Sequence, residues 1–253
     1  MINPGSLTVV MQLIAGLSIL LLIPLFEFKL PSNIHSYIFL FIACIFYALS
    51  DRGATSVRKH IESSLFTIIK QLSNVFIIFI GLLIFKEEFI LTKVIGAFLI
   101  IISNIFIFYK KDSFKNNKYI YLGLLSTFFL TIALYIDISY SNEFSLPIYI
   151  AFTLLVPAIL IFIFERIKIK DIFLEYKNSN KIIILSGISW GIMMLTKLYA
   201  YQLGDVILVA PICSLNIIIN VFVAYFTLKE KDNVLQKIVG AIIIILGIIL
   251  IKL

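Results

Sequence analysis

The feature that most constrains this chain is a series of long apolar blocks separated by short charged stretches. Each block has about 16–23 residues, and about 20 apolar residues in a helix cross the hydrocarbon core of a bilayer. The blocks lack the period-two alternation of a membrane β-barrel. Because the backbone in lipid must satisfy its own hydrogen bonds, each block predicts a helix. The nine blocks lie approximately at 7–26, 36–57, 64–85, 94–109, 119–139, 147–164, 182–203, 206–228 and 237–252.

The composition points the same way. The chain is 61% hydrophobic and only 14% charged, which is outside the range of soluble domains. The first block is interpreted as a retained span and not a signal peptide, because no Lys or Arg precedes Lys29. We therefore expect an all-α integral membrane protein whose first partner is the lipid bilayer.

The charge and the rare residue types exclude several classes of function. The net charge is +7, but the basic residues fall in the loops between spans and form no stripe for nucleic acid. The chain has two histidines and no phosphate-binding glycine loop or Cys-x-x-Cys pair. We expect no nucleic-acid partner, no metal, no cofactor and no enzymatic activity.

One sequence segment, called the doubled phrase below, occurs twice in the chain. The first copy, Phe85 to Tyr109, reads "FKEEFILTKVIGAFLIIISNIFIFY", and the second, Leu228 to Leu253, reads "LKEKDNVLQKIVGAIIIILGIILIKL". The Lys-Glu pairs and the Gly-Ala pairs of the two copies correspond. Five predicted spans lie between the first Lys-Glu pair and the second, and an odd number places the two pairs on opposite sides of the membrane. The chain therefore predicts two inverted repeats, as in many secondary transporters.

The two repeats are unequal in length. Further matches pair Ser6–Glu27 with Ser145–Glu165, and Gln71–Glu87 with Ser214–Glu230. The second repeat, residues 112–253, then has five spans, whereas the first, residues 1–111, has four and no counterpart of its first helix. Either the protein lacks that helix or its chain begins upstream of Met1. The predicted fold has about nine transmembrane helices, four plus five.

The doubled phrase resembles the end of each repeat in EamA-like members of the drug/metabolite transporter superfamily. This resemblance implies ten helices in an inverted five-plus-five arrangement, a central substrate cavity, and export or import of small metabolites. The charge distribution conflicts with the family in one respect. Fifteen Lys and Arg lie on one side and four on the other, which places the N-terminus in the cytoplasm and the C-terminus outside, opposite to the family pattern for this C-terminus.

Polar side chains within the spans are the candidates for substrate binding. Two lysines, in the third and seventh spans, can meet a substrate carboxylate or phosphate, or can snorkel to the interface. Amides on the third and eighth spans can bind substrate or hold helices together. The G-x-x-x-G spacing of Gly187 and Gly191 favours close helix packing, so the tryptophan between them is interpreted as a packing residue in preference to a cavity-lining one. These candidates are Lys70, Gln71, Asn74, Trp190, Lys197, Tyr199, Asn216 and Asn220.

Three carboxylates are candidates for energy coupling. Glu87 and Glu230 precede helices and are interpreted as caps in preference to proton-coupling groups. Asp137 is the better coupling candidate, although a position within one turn of its span's end favours a plain interfacial residue. The neighbouring pair Asp51 and Arg52 is interpreted as loop in preference to the lining of a wet cavity mouth.

The predicted function is a secondary transporter, or permease, in the cytoplasmic membrane. It moves a small metabolite by alternating access, and the lysines favour an anionic or zwitterionic substrate. The alternative is a membrane scaffold or lipid-carrier-handling subunit that works with a partner chain. Whether the protein forms a homodimer or joins such a partner stays open.

Overall fold

The computed structural model describes residues 4–61, 63–108, 118–214 and 234–252. Within these ranges the chain forms α-helices and short 3-10 turns and no β-strand, as the composition of the apolar blocks predicts. The α-helices are α1 Pro4–Leu20, α2 Ile34–Arg58, α3 Ser63–Leu83, α4 Leu91–Phe108, α5 Lys118–Tyr140, α6 Leu146–Phe164, α7 Ile169–Leu203, α8 Val206–Ser214 and α9 Val234–Lys252.

Many of these helices have the length and composition of membrane spans. Five of the described ones are long and apolar enough to cross a bilayer, and three more are apolar but shorter. Large apolar side chains are exposed along them, which is the surface that lipid covers. The chain is a multi-pass membrane protein. The five are Ile34–Arg58, Leu65–Leu83, Lys118–Glu143, Leu146–Phe164 and Lys181–Leu203, and the shorter three are Gly5–Leu20, Leu91–Ile107 and Ile238–Leu250.

The structure of two charged stretches differs from the interpretation of the sequence. The loop interpretation of Asp51 and Arg52 is wrong, because α2 runs without a break to Arg58. The seventh helix begins at Ile169 and not near residue 182, so the charged stretch expected to be a loop is helical. Both errors have one cause: charged residues were taken as span ends, whereas a helix needs apolar residues only where it meets lipid. Of the eighth span, residues after Ser214 lie outside the described ranges.

The described helices group into two compact units. The first contains residues 1–60 and 125–203, and the second contains residues 61–124 and 204–253. Each unit takes helices from both predicted repeats. In the first unit α1 packs against α6 and α7, and α2 packs against α6. In the second, α4 packs against α9, and α3 packs against α4 and α8.

Glycines allow the closest approach in the first unit. A Cβ added to Gly187 would lie 2.7 Å from Ile14, and one added to Gly191 would lie 2.9 Å from the carbonyl oxygen of Ala15. Small residues at such crossings let backbones of membrane helices pack closely. The spacing of Gly187 and Gly191 thus serves helix packing between α7 and α1, which is the interpretation favoured from the sequence.

The second unit has an antiparallel crossing of α4 and α9. Gly240 lies against Ile107 and Ser103, whereas Gly247, two turns later, lies against Ile100 and the earlier Gly96. The opposite directions of the two series show that the helices are antiparallel. This is the relation predicted for the helices that follow the two Lys-Glu pairs, because an odd number of spans separates the pairs.

Candidate functional site

The buried carboxylate of Asp137 is the centre of a polar site in the first unit. Asp137 lies near the end of α5 and is 1% exposed. The hydroxyl of Tyr149 on α6 donates to its Oδ1 at 3.0 Å, and the hydroxyl of Tyr47 on α2 donates to its Oδ2. Both tyrosines are buried. Three helices therefore meet at one carboxylate, and each of its oxygens has a donor.

The connection from α5 to α6 holds this site in place. It passes through the 3-10 turn Ser141–Glu143, where the Glu143 carboxylate accepts from Ser36 at the start of α2. The backbone N–H of Ser145, which precedes α6, donates to the carbonyl oxygen of Lys29 at 2.7 Å. Lys29 Nζ in turn donates to the carbonyl oxygen of Asn142 at 2.7 Å. Short connections fix the relative positions of Asp137 and the start of α6.

Lys197 on α7 is a basic residue of the same unit. Its ammonium interacts electrostatically with the Asp137 carboxylate and lies 5.9 Å from the ring centroid of Tyr201. Its side chain is half-buried, whereas Asp137 is enclosed. A basic and an acidic side chain thus both belong to the first unit, and ionisable side chains are rare within membrane spans.

The sequence predicted the carboxylate of this site but not its two tyrosine partners. The sequence identified Asp137 within a turn of its span's end, and its carboxylate is buried between helices; the interfacial depth expected for it stays a prediction. Tyr47 and Tyr149 were not among the candidates. Their signal in the sequence is a phenol inside an apolar block, since a buried tyrosine hydroxyl needs a hydrogen-bonding partner.

The candidates on α3 lie in the second unit. Gln71 and Asn74 are buried, and Asn74 Nδ2 donates to Gln71 Oε1 at 2.9 Å, so the two amides bind each other within one helix. The Lys70 ammonium lies 5.9 Å from the ring centroid of Phe66, one turn earlier. Asn216 and Asn220, the candidates on the eighth span, lie outside the described residues.

Glu87 caps a helix. Its Oε1 accepts from the backbone N–H of Val206 at 2.7 Å and its Oε2 from that of Ile207 at 3.0 Å. These are the first N–H groups of α8, where a carboxylate also meets the positive end of the helix dipole. The sequence interpretation of Glu87 as a cap matches this geometry, but the capped helix is α8 and not the following α4. Glu230 lies outside the described residues.

The remaining candidates on α7 differ in their surroundings. Trp190 is partly buried and packs on the apolar cluster that includes Tyr149 and Leu195. The side chain of Tyr199 is exposed. Trp190 is thus a packing residue of the first unit, and Tyr199 does not join the Asp137 site in this conformation.

A second polar cluster lies in the C-terminal half of α2 and at the C-terminal end of α6. Arg52 forms an ion pair with Glu165. Next to it, Gln12 Nε2 on α1 donates to Asp51 Oδ2 at 2.8 Å. In the described part of the chain, no group of three His, Cys, Asp or Glu is placed to hold a metal ion.

Comparisons with known proteins agree with the resemblance seen in the repeat. The model of the EamA-like transporter family matches residues 1–109. Twenty-three chains of known structure match the fold. One of them, known from a crystal structure, superposes with a TM-score of 0.76 at 14% identity, over 99% of this chain and 89% of its own. At that identity the similarity shows the fold alone.

No curated protein sequence matches the chain. The family match covers the first copy of the doubled phrase and agrees with the predicted resemblance over residues 1–109. This multi-pass membrane protein carries, over residues 1–109, the sequence pattern of the EamA-like family of small-molecule transporters within the drug/metabolite transporter superfamily.

Proposed function

We propose that the protein is a secondary transporter that moves a small anionic or zwitterionic molecule across the cytoplasmic membrane by alternating access. The observation that carries this proposal is the buried carboxylate of Asp137, held by two tyrosines next to Lys197. Placing one ionisable side chain in a span costs about 2.5–3.5 kcal/mol on insertion scales. Such groups therefore mark the paths of substrates and ions. The EamA-like match supports a transport role.

The two charged groups have separate roles in this proposal. Lys197 is half-exposed and binds the carboxylate or phosphate of the substrate. Asp137 is enclosed and is the coupling group: both oxygens are occupied by tyrosine hydroxyls in this conformation. Movement of α2 or α6 away from α5 removes a donor and opens the carboxylate to a proton. Proton binding and substrate access are then linked through the same hydrogen bonds.

Packing between predicted counterparts supports alternating access. If the chain contains inverted repeats, α1 corresponds to α6 and α4 to α9. In each compact unit these counterparts pack against one another, and α4 and α9 are antiparallel. If a pseudo-two-fold axis relates the members of each pair, the inward-open and outward-open conformations have similar packing and similar energy. This is the basis of alternating access in inverted-repeat transporters.

The orientation is part of the proposal. We place the basic side, which includes residues 165–181, in the cytoplasm. The test is a Lys177→Cys variant in which Cys44 and Cys213 are replaced by Ser, labelled in intact cells with a membrane-impermeant maleimide. We expect labelling only after permeabilisation. Labelling of intact cells would reverse the orientation.

Transport by the purified chain tests the function itself. The protein alone is reconstituted in vesicles, and uptake of labelled carboxylates, phosphates and amino-acid-like zwitterions is compared with empty vesicles. We expect saturable uptake of at least one of them. If uptake appears only after a second chain is added, the role of a subunit with a partner replaces the proposal of an independent transporter.

A further inference from the structure

The first part of α7 extends beyond the apolar span. At about 1.5 Å per residue the helix Ile169–Leu203 is about 52 Å long, whereas the hydrocarbon core is about 30 Å thick. The apolar span begins at Lys181. Residues 169–180 therefore lie outside the hydrocarbon core.

This extension has an inner face. Ile172 packs on the apolar cluster formed by Val9, Ala48, Ala158, Ile161 and Ile167. Glu175, one turn later, is 4% exposed. The extension is thus held against the first unit and is not a free helical rod in water.

Its outer face is apolar as well. Ile169, Phe173 and Tyr176 are 63%, 68% and 46% exposed. Their spacing of four and three residues places them on one side of the helix. Phe164, at the end of the α6 span, is also exposed and precedes this stripe by five residues. The exposed apolar end of α6 therefore precedes the outer face of the extension by a short connection.

Basic side chains flank this stripe. Lys170 precedes Phe173 by three residues and Lys177 follows it by four, so all three share one side of the helix, and both lysines are exposed. Lys168 and Lys181, at the two ends, are exposed too, whereas Asp171 is half-buried and Glu175 is buried. The charge that the extension presents outwards is positive.

We propose that residues 168–181 form an interfacial segment that binds the anionic headgroups of one leaflet. Phe173 and its neighbours enter the boundary between headgroups and acyl chains, and Lys170 and Lys177 contact lipid phosphates. A helix with aromatic residues on one face and lysines beside them is suited to this position, and each lysine near an anionic surface adds to binding. This inference depends on the membrane location of the chain and not on the proposed transport activity.

The depth of residue 173 tests the location. Trp190 is the chain's one tryptophan, so Phe173→Trp in a Trp190→Phe background provides a single probe. In vesicles containing phosphatidylglycerol we expect quenching by lipids brominated near the headgroup end of the chain. The matched control is Ile192→Trp in the same background, an exposed residue within the span of α7, which should be quenched by deeply brominated lipids. Quenching of the probe at 173 by iodide alone, or by neither reagent, would overturn the proposal; the second result would mean that protein covers the stripe.

The charge requirement is tested separately. A Lys170→Gln/Lys177→Gln double variant is extracted from mixed phosphatidylglycerol and phosphatidylcholine membranes, and the retained lipid is measured. We expect the ratio of anionic to neutral lipid to fall by about fivefold or more. A Lys59→Gln/Lys118→Gln double variant, which removes two exposed lysines outside the segment, should keep the ratio of the unmodified protein. Equal ratios in the two double variants would refute headgroup binding by this segment.

Discussion

The Ser103 hydroxyl on α4 donates to the carbonyl oxygen of Gly240 on α9 at 2.6 Å. At the same crossing, the carbonyl oxygen of Gly96 lies 2.8 Å from the position that a Cβ of Gly247 would take. Gly96 and Gly240 are corresponding residues of the doubled phrase, and Ser103 and Gly247 each follow them by seven residues. The carbonyl of each phrase glycine therefore meets the same position on the opposite helix, which is the relation that a two-fold axis produces.

This crossing predicts a sensitivity to added volume. Gly247→Ala places a methyl group within 2.8 Å of backbone and 2.7 Å of Ile100, so the helices must separate. We expect a loss of about 1–3 kcal/mol, the usual range for overpacking, measured as a lower unfolding midpoint in detergent. The control, Ile245→Ala, changes an exposed residue on the same helix and should have a smaller effect. A stable Gly247→Ala variant would mean that α4 and α9 are not closely packed.

The hydrogen bonds to Asp137 predict a coupled network. Tyr149→Phe leaves Oδ1 of the buried carboxylate without its donor, which costs about 1–3 kcal/mol. Because Tyr149 and Asp137 share this bond, the double variant Tyr149→Phe/Asp137→Asn should cost less than the two single changes added together. Tyr121→Phe, at an exposed tyrosine, is the control with little expected effect. Strict additivity would show that the hydroxyl and the carboxylate act independently.

The cap formed by Glu87 predicts an effect on stability. Glu87→Ala removes acceptors from the N–H groups of Val206 and Ile207, and loss of a cap costs about 0.5–2 kcal/mol. Glu88→Ala changes the exposed neighbouring carboxylate and should leave the unfolding midpoint nearly unchanged. If Glu87→Ala keeps full stability but abolishes the dependence of transport on a proton gradient, Glu87 is a coupling group and the cap is secondary.

The two lysines predict different transport defects. Lys197→Met removes the cation next to Asp137, so we expect a raised KM, by about tenfold or more, for an anionic substrate, as for loss of a hydrogen bond to a charged group. Lys70→Met removes a cation that lies over Phe66 on its own helix and should change KM less. The measurement is the concentration dependence of initial uptake. Unchanged uptake of every anion by both variants would remove the anionic substrate from the proposal.

The fold was largely predictable because its causes are local. A long apolar block in lipid must be a helix, and the parity of the intervening spans already required α4 and α9 to be antiparallel. The start of α7 was misplaced because the extension at Ile169 is amphipathic and charged, although it packs through Ile172. Charge marked the edge of the apolar span there and not the end of the helix.

The site was predictable only in part because its contacts are distant in sequence. Asp137 could be found as a carboxylate within a span, but Tyr47 is 90 residues away from it and reaches it only through the packing of α2 in the first unit. Likewise, Glu87 could be recognised as a cap, yet its partner Val206 lies 119 residues further along the chain. The residue type indicates which chemistry a side chain can perform, whereas its partner depends on tertiary packing.

The central claim is that Asp137 couples transport to a proton gradient. The most direct measurement compares unmodified protein with Asp137→Asn in vesicles, first with a pH gradient and then in exchange of labelled for unlabelled substrate without one. We predict that Asp137→Asn loses accumulation against a gradient and retains exchange, because the amide keeps the shape of the side chain but takes up no proton. Accumulation by Asp137→Asn equal to that of the unmodified protein would contradict the account.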